Sequence, residues 1–133
     1  MKLSIVLPVR NGLSHTRQCI AALRDCSLPS CEFIVVDNES TDGTAEWLSG
    51  QQDIEVVQGQ TNWSLAQSFN AGRKKATGEL LLFLHNDVIC NRLALLALMK
   101  VMEMDRVAAT GPLTNRWQLV QTVRTTGAIQ FCG

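Results

Sequence analysis

The chain has 133 residues, of which 46% are hydrophobic and 18% are charged. This is enough apolar material for the core of one domain, and it excludes an intrinsically disordered protein. Twelve basic residues balance twelve acidic ones, so no overall positive charge favours nucleic acid or anionic lipid. The five cysteines contain no Cys-x-x-Cys pair, which argues against a disulfide framework or a zinc site and favours a reducing compartment. We therefore expect a soluble protein without a signal peptide or a transmembrane segment.

Short β-rich runs alternate with helical segments along the chain. The apolar runs predict strands over residues 3–7, 33–37, 54–57 and 80–84, with Pro8 ending the first strand. Helices are predicted over residues 14–25, 45–48 and 64–77, and from about residue 91 onwards. Strands that alternate with helices at this spacing predict a parallel α/β sheet with right-handed crossovers.

Capping residues and apolar faces refine the predicted helices. Ser14 and Ser64 are expected N-caps, and Gly78 is expected to end the third helix in a left-handed conformation. The fourth helix is apolar almost all round, so it is either core or packs against something outside this chain. The predicted buried faces are Cys19, Ile20, Leu23 and Cys26 in the first helix and Leu65, Phe69, Gly72 and Ala76 in the third.

Polar residues follow three of the predicted strands. In parallel sheets ligands bind beyond the carboxyl ends of the strands, so these residues predict a binding site at one edge of the sheet. The three clusters are Pro8-Val9-Arg10-Asn11, Asp37-Asn38-Glu39-Ser40 and His85-Asn86-Asp87.

Asp37 follows a four-residue apolar run, where a carboxylate needs a partner. A ribose hydroxyl or a base N–H would satisfy it, and so would the backbone of a turn, since Asp often bonds its own backbone. The pattern leaves both interpretations open. For Asp42 and Gly43 we favour a turn that leads into the short second helix.

Asp87 could bind a divalent cation that neutralises a diphosphate, or it could cap the helix that follows. Mg²⁺ or Mn²⁺ often takes only one or two protein carboxylates, so a single Asp is sufficient. His85 could add a nitrogen ligand, although a lone His at a strand end more often makes a hydrogen bond. Arg73 most simply complements the dipole at the end of its helix, with a phosphate contact as the alternative.

Four segments occur in the order and spacing of one known family. They are Ser4-Ile-Val-Leu-Pro-Val-Arg-Asn11, Phe33-Ile-Val-Val-Asp-Asn-Glu-Ser-Thr-Asp-Gly-Thr44, Asn62-Trp-Ser-Leu-Ala-Gln-Ser-Phe-Asn-Ala-Gly72 and Gly78-Glu-Leu-Leu-Leu-Phe-Leu-His-Asn-Asp-Val88. With these segments the chain resembles the nucleotide-binding half of family 2 glycosyltransferases, especially the rhamnosyltransferase-like branch.

The resemblance implies a GT-A fold, which is a Rossmann-like parallel-sheet α/β/α sandwich. It implies metal-assisted, inverting transfer of a sugar from a nucleotide-diphospho-sugar to a glycan, lipid or protein acceptor, in the synthesis of cell-envelope polysaccharide. We expect residues 1–133 to be the nucleotide-sugar-binding part, truncated before the acceptor half. The expected location is cytoplasmic or peripheral at the inner face of the membrane.

The resemblance also assigns roles to residues. Pro8, Val9 and Asp37 would hold the base and the ribose. Asp87 would be the last acid of an Asp-x-Asp-like motif for Mn²⁺ or Mg²⁺, with His85 at the first position of that motif. The remaining donor-binding candidates are Arg10, Asn11, Asn38, Ser40, Asn62, Asn70 and Asn86.

Two positions depart from the family pattern, since Arg10 replaces a common aromatic residue and Ser64 a common glycine. The last acidic residue of the chain is Asp105, so the catalytic base is expected beyond Gly133. Two alternatives stay open, a non-catalytic nucleotide-binding domain and a sugar nucleotidyltransferase. The second is disfavoured because the loop after the first strand has a single glycine, Gly12.

Overall fold

The structure is a computed structural model that describes residues 1–111 and the backbone of residues 121–124. Its elements, in chain order, are β1 (Leu3–Val9), α1 (Leu13–Asp25), β2 (Cys31–Asp37), α2 (Thr44–Ser49), β3 (Ile54–Gln58), α3 (Leu65–Arg73), β4 (Leu80–Phe83), α4 (Arg92–Met102), β5 (Ala109–Thr110) and β6 (Gln121–Arg124).

The strands form one sheet in the order β3-β2-β1-β4-β6-β5. The first four strands are mutually parallel, which confirms the predicted parallel α/β sheet. β6 then runs antiparallel to β4, and β5 runs antiparallel to β6. The carboxyl ends of β1, β2, β3 and β4 therefore lie at one edge of the sheet.

Pro8 does not end β1, contrary to the sequence prediction. The strand continues to Val9, and Pro8 pairs in register with Val36 of β2. A proline is tolerated in a central strand only where its missing N–H is not needed. β4 pairs with β1 no further than Val6, so the β4 side of Pro8 lacks a pairing strand in the described chain.

Side chains from alternate positions of the strands form two buried clusters, one on each face of the sheet. This gives the α/β/α layering, with every residue of β4 buried as predicted. One cluster includes Leu3, Ile5, Leu7 and Val9 of β1 together with Cys19, Ile20 and Leu23 of α1. The other includes Val6, Ile34, Val36, Leu81 and Phe83 together with Phe69 of α3.

Two helix ends differ from their predictions. Ser14 lies inside α1, whose N-cap is Gly12 with a φ of 73°. α3 ends at Arg73, and Gly78 is not among the glycines with positive φ. A Cβ at Gly78 would lie 2.8 Å from the Lys2 carbonyl oxygen, so close approach of the chain explains this glycine. The prediction for Ser64 is confirmed, because it caps α3 reciprocally with Gln67.

α4 begins as predicted, since the Asn91 side chain accepts a hydrogen bond from the Ala94 N–H. Leu95 and Met102 are buried, whereas Leu93 is 80% exposed, so only one side of this apolar helix is core. The predicted apolar stripe of α3 is also partly wrong, because its first member, Leu65, is 45% exposed. Among the described residues, no helix has the length and apolarity that crossing a membrane requires.

Gly72 allows α3 to pack closely on β1 and β2. A Cβ at this position would lie 2.3 Å from Val6 Cγ1 and 3.2 Å from Val36 Cγ2. Because overpacking of a core costs about 1–3 kcal/mol, we expect Gly72→Ala to be destabilising by that amount, although alanine favours helices. Gly50→Ala is the control, since the nearest atom to its Cβ would be 3.5 Å away. Urea unfolding of both variants measures the difference, and equal stability would contradict this packing.

Glu32 joins the amino ends of β1, β2 and β4. Its carboxylate lies 2.6 Å from Lys2 Nζ and accepts hydrogen bonds from the Thr77 N–H and hydroxyl at 2.7 and 2.8 Å. Ser4 also donates to Glu32 and accepts from the Gly78 N–H at 2.8 Å. Burial alone would raise the pKa of Glu32, but these hydrogen bonds outweigh it and lower the pKa to about 2.

This lowered pKa predicts a pH-dependent contribution to stability. Because the pKa is lower in the folded chain, the contribution is present above the ordinary value of 4.5 and is lost as pH falls towards 2. We therefore expect Glu32→Gln to unfold at lower urea than the wild type at pH 6, with a difference that shrinks towards pH 2. The control Glu55→Gln removes an exposed contact 3.9 Å long to Lys75 and should change little. A difference independent of pH would contradict the assignment.

Candidate active site

The loops after β1 and β2 are held together by side chains that the sequence analysis selected. The Asn11 N–H donates to Ser40 Oγ at 2.8 Å, and the Thr41 N–H donates to Asn11 Oδ1 at 2.7 Å. Asn11 has a φ of 60°, a left-handed conformation that Asn tolerates better than most residues. Asn11 and Ser40 therefore use these groups to fix the two loops to each other.

Asp42 extends this contact to the start of α1. Its carboxylate accepts from the Leu13 N–H at 3.0 Å and from the Thr44 N–H at 3.1 Å. The predicted turn into α2 is confirmed, and Gly43 adopts a φ of 90° within it. Hydrogen bonds from the Thr44 hydroxyl and the Leu13 N–H lower the pKa of Asp42. The carboxylate that Ser14 was expected to replace at α1 thus comes from another loop.

Asp37 and Asn38 are buried beneath these loops. Asp37 is 1% exposed and accepts a hydrogen bond from the Ser40 N–H at 3.1 Å, as the turn interpretation predicts. Asn38 donates its side-chain N–H to Ser68 Oγ at 2.8 Å. A Cβ on Gly59 would lie 2.0 Å from Asn38 Oδ1, so Asn38 is enclosed from the β3 side as well.

Arg10, Glu39 and Thr61 connect the exposed ends of β1, β2 and β3. Glu39 accepts hydrogen bonds from the Thr61 hydroxyl and from the Thr61 N–H, and it has a φ of 57°. These two hydrogen bonds lower the pKa of Glu39, and the charge of Arg10 adds to the effect. Arg10 itself is exposed and lies 3.5 Å from the Thr61 carbonyl oxygen.

The segment after β4 is attached to α1. Asn86 donates its side-chain N–H to Thr16 Oγ1 at 3.0 Å, and Cys19 Sγ lies 3.8 Å from the His85 carbonyl oxygen. The His85 ring is half-buried and meets Phe69 edge-on, with ring centroids 6.2 Å apart. His85 therefore makes the neighbour contact that a lone His at a strand end usually makes.

Asp87 differs from every other carboxylate at this edge. It is exposed, and within the described residues it forms neither a hydrogen bond nor an ion pair. The capping interpretation for Asp87 is wrong, because Asn91 caps α4. The Asp87 carboxylate is thus available to a ligand.

The remaining candidates lie away from these contacts. Asn62 follows β3, and Asn70 and Arg73 lie on α3; all three are exposed. In the described part of the chain their side chains form no hydrogen bonds. Pro8 and Val9 are both buried in β1.

The cysteines Cys19, Cys26, Cys31 and Cys90 are free thiols, and Cys132 lies outside the described residues. Burial raises the pKa of Cys19 to about 12 and that of Cys90 to about 11. A thiol with such a pKa is protonated at neutral pH and is a poor nucleophile. These cysteines are therefore core residues, as the sequence analysis interpreted them.

Sequence analysis overlooked the two hydroxyl groups that hold candidate residues in place, those of Thr16 and Ser68. Both residues are fully buried on helices. A buried hydroxyl needs a hydrogen-bond partner, so a polar residue on an apolar helix face was the available signal.

A family model described as glycosyl transferase family 2 matches residues 4–127. The chain belongs to glycosyl transferase family 2. It is 30% identical over 89 residues to an uncharacterized glycosyltransferase of Haemophilus influenzae, covering 64% of this chain and 36% of that protein. It is 31% identical over 88 residues to the glycosyltransferase TuaG of Bacillus subtilis, covering 63% and 35%. The chain spans about a third of the length of these curated relatives.

Solved glycosyltransferases share the fold. The mannosyltransferase PcManGT of Pyrobaculum calidifontis, in complex with GDP-Man and Mn²⁺, aligns with a TM-score of 0.79 at 17% identity, over 92% of this chain and 44% of that one. TarS of S. aureus in complex with UDP-GlcNAc aligns with a TM-score of 0.68 at 23% identity, over 82% and 33%. These alignments confirm the GT-A fold, and the family match removes the sugar nucleotidyltransferase alternative.

The family implies a divalent cation, so we asked whether the residues of this chain fit one. Among the described residues, no group of three or more His, Cys, Asp or Glu side chains is placed to hold a metal. The available carboxylate of Asp87 does fit a cation whose other ligands are phosphate oxygens and water, as Mg²⁺ and Mn²⁺ often have. The fit is to a cation shared with a diphosphate.

Asn11 is the residue at this edge whose contacts are easiest to separate by mutation. Asn11→Ala removes the acceptor for the Thr41 N–H and places alanine at a φ of 60°, so we expect it to lower the free energy of unfolding by about 1–2 kcal/mol. Asn11→Asp keeps an oxygen at the same position and should lose less than half as much. Urea unfolding at pH 7 measures both values. An alanine variant as stable as the wild type would contradict the role given to Asn11.

Proposed function

We propose that this chain forms the donor-binding part of a metal-assisted, inverting glycosyltransferase that uses a nucleotide-diphospho-sugar. The observation that carries the proposal is the contrast between Asp87 and its neighbours. Asp37 and Asp42 are bonded to backbone N–H groups, whereas Asp87 at the same edge is exposed without a partner in the described residues. A carboxylate left available beside a set of fixed loops is suited to ligand binding.

The described residues would divide the donor between them. The buried carboxylate of Asp37 lies where β1 and β2 end and would contact the ribose or the base. Arg10 is exposed at the same edge and would lie beside the base. Asp87 would hold the cation, which would neutralise the negative charge of the leaving diphosphate. The printed names of the solved relatives, with GDP-Man and Mn²⁺ in one and UDP-GlcNAc in the other, support a donor of this class.

In an inverting transfer a general base removes the proton of the acceptor hydroxyl as this oxygen attacks the anomeric carbon. Residues 106–133 include no Asp or Glu, so we place this base outside the chain. The acceptor is a glycan, a lipid or a protein, and the name of TuaG, which refers to teichuronic acid biosynthesis, supports a cell-envelope glycan. We place the protein in the cytoplasm or at the inner face of the membrane.

Calorimetric titration with UDP, GDP and dTDP, each with and without Mn²⁺, tests the donor site. We expect one nucleotide to bind, with an affinity that Mn²⁺ raises about tenfold or more. Asp87→Asn should abolish this gain while leaving binding without metal unchanged. Asp105→Asn is the matched control, because it neutralises another exposed carboxylate in the chain. An unchanged gain in Asp87→Asn would remove Asp87 from the site.

Asp37→Asn separates the base and ribose contact from the metal contact. The variant keeps an oxygen that accepts from the Ser40 N–H but loses the negative charge. We expect it to weaken nucleotide binding equally with and without Mn²⁺. A loss confined to the Mn²⁺ titration would assign Asp37 to the phosphate end. If no nucleotide binds to a wild-type chain that circular dichroism shows to be folded, the donor site proposed here is wrong.

A further inference from the structure

The segment that carries Asp87 lies beyond the part of β4 that is paired in the sheet. β4 pairs with β1 as far as Phe83, and the Leu84 N–H donates to the Val6 carbonyl at 3.1 Å. Residues 85–87 then leave the ladder, so they need other contacts to hold one position. α1 supplies two of these contacts.

Both contacts come from the buried face of α1 and are one helical turn apart. Thr16 Oγ1 accepts from the Asn86 side-chain N–H at 3.0 Å, and Cys19 Sγ lies 3.8 Å from the His85 carbonyl oxygen. Thr16 and Cys19 are each 0% exposed. Of the two contacts, the one to Thr16 is the stronger, because a hydroxyl is a better acceptor than a thiol is a donor.

The start of α1 is itself fixed to the loop after β2. The Leu13 N–H donates to the carboxylate of Asp42 at 3.0 Å, one turn before Thr16. The first turn of α1 therefore touches both the loop beyond Asp37 and the segment that carries Asp87. A shift of this turn would move Asp87 relative to the loop that is proposed to hold the nucleotide.

We infer that Thr16 is a positioning residue, which holds Asn86 and thereby places the Asp87 carboxylate where it can share a cation with a diphosphate. This inference rests on the proposed function, since it takes Asp87 to be the metal ligand. It assigns Asn86 to the support of Asp87, where the sequence analysis had expected a direct donor contact. Groups that orient a metal ligand typically change metal affinity 10–100-fold when removed.

Two substitutions separate the hydroxyl of Thr16 from its volume. Thr16→Val keeps the size of the side chain and removes the acceptor, whereas Thr16→Ser keeps the acceptor and loses a methyl group. The matched control is Thr77→Val, which removes a hydroxyl that bonds to Glu32 at the opposite edge of the sheet. Urea unfolding of the three variants reports any general loss of stability.

The first measurement is made without nucleotide or metal. In two-dimensional ¹⁵N–¹H NMR spectra the Asn86 side-chain amide should move towards the position of a free Asn in Thr16→Val and stay in place in Thr16→Ser and Thr77→Val. Paramagnetic broadening by Mn²⁺ alone should then affect the amides of residues 85–88 in the wild type and weaken in Thr16→Val. An Asn86 signal that does not move in Thr16→Val would overturn the inference.

The second measurement is the titration with the nucleotide that the wild type binds. We expect Thr16→Val to lose about tenfold of the affinity gained with Mn²⁺, with no change in affinity without metal. Thr16→Ser should restore the gain to within about twofold. A gain that survives in Thr16→Val rejects this inference and leaves the proposed function intact. Absence of any Mn²⁺ gain in the wild type rejects the metal-assisted function and this inference with it.

Discussion

β1 is paired with β2 along all seven of its residues but with β4 along only its first four. This unequal pairing at the centre of a parallel sheet determines where the other parts of the candidate site can lie. β1 and β2 end together, so the loops beyond Val9 and Asp37 come close enough to bond through Asn11 and Ser40. β4 ends earlier, and the segment that follows it lies against α1, through Thr16.

The polar side chains at this edge fall into two groups with different tasks. Asn11, Asn38, Ser40 and Asn86 spend hydrogen-bonding groups on other parts of the chain. Such bonds are needed because buried polar groups without partners cost free energy. Asp87 and Arg10 are exposed and lack comparable bonds in the described residues. In our proposal the first group holds the loops in position, and the second contacts the donor.

The helix ends show where local sequence signals hold and where they fail. Ser64 caps α3 as predicted, because the capping box lies within four consecutive residues and needs nothing else. Ser14 does not cap α1, because Asp42 from a distant loop reaches the Leu13 N–H. Gly78 is a glycine because Lys2 and Ser4 approach it closely, not because a turn requires a positive φ. Both failures arise from contacts between residues that are far apart in the chain.

The sequence by itself determined the parallel α/β sheet, four of its strands and the edge at which polar residues collect, because periodicity and strand-end chemistry are local properties of the chain. It also identified Asp87 as a candidate, since the carboxylate follows a fully apolar strand. Only the tertiary structure decided which candidates are bonded to one another and that Thr16 supports Asn86. Those facts depend on how far each strand is paired and on which helix packs beside it, and neither is encoded by residues near the contact.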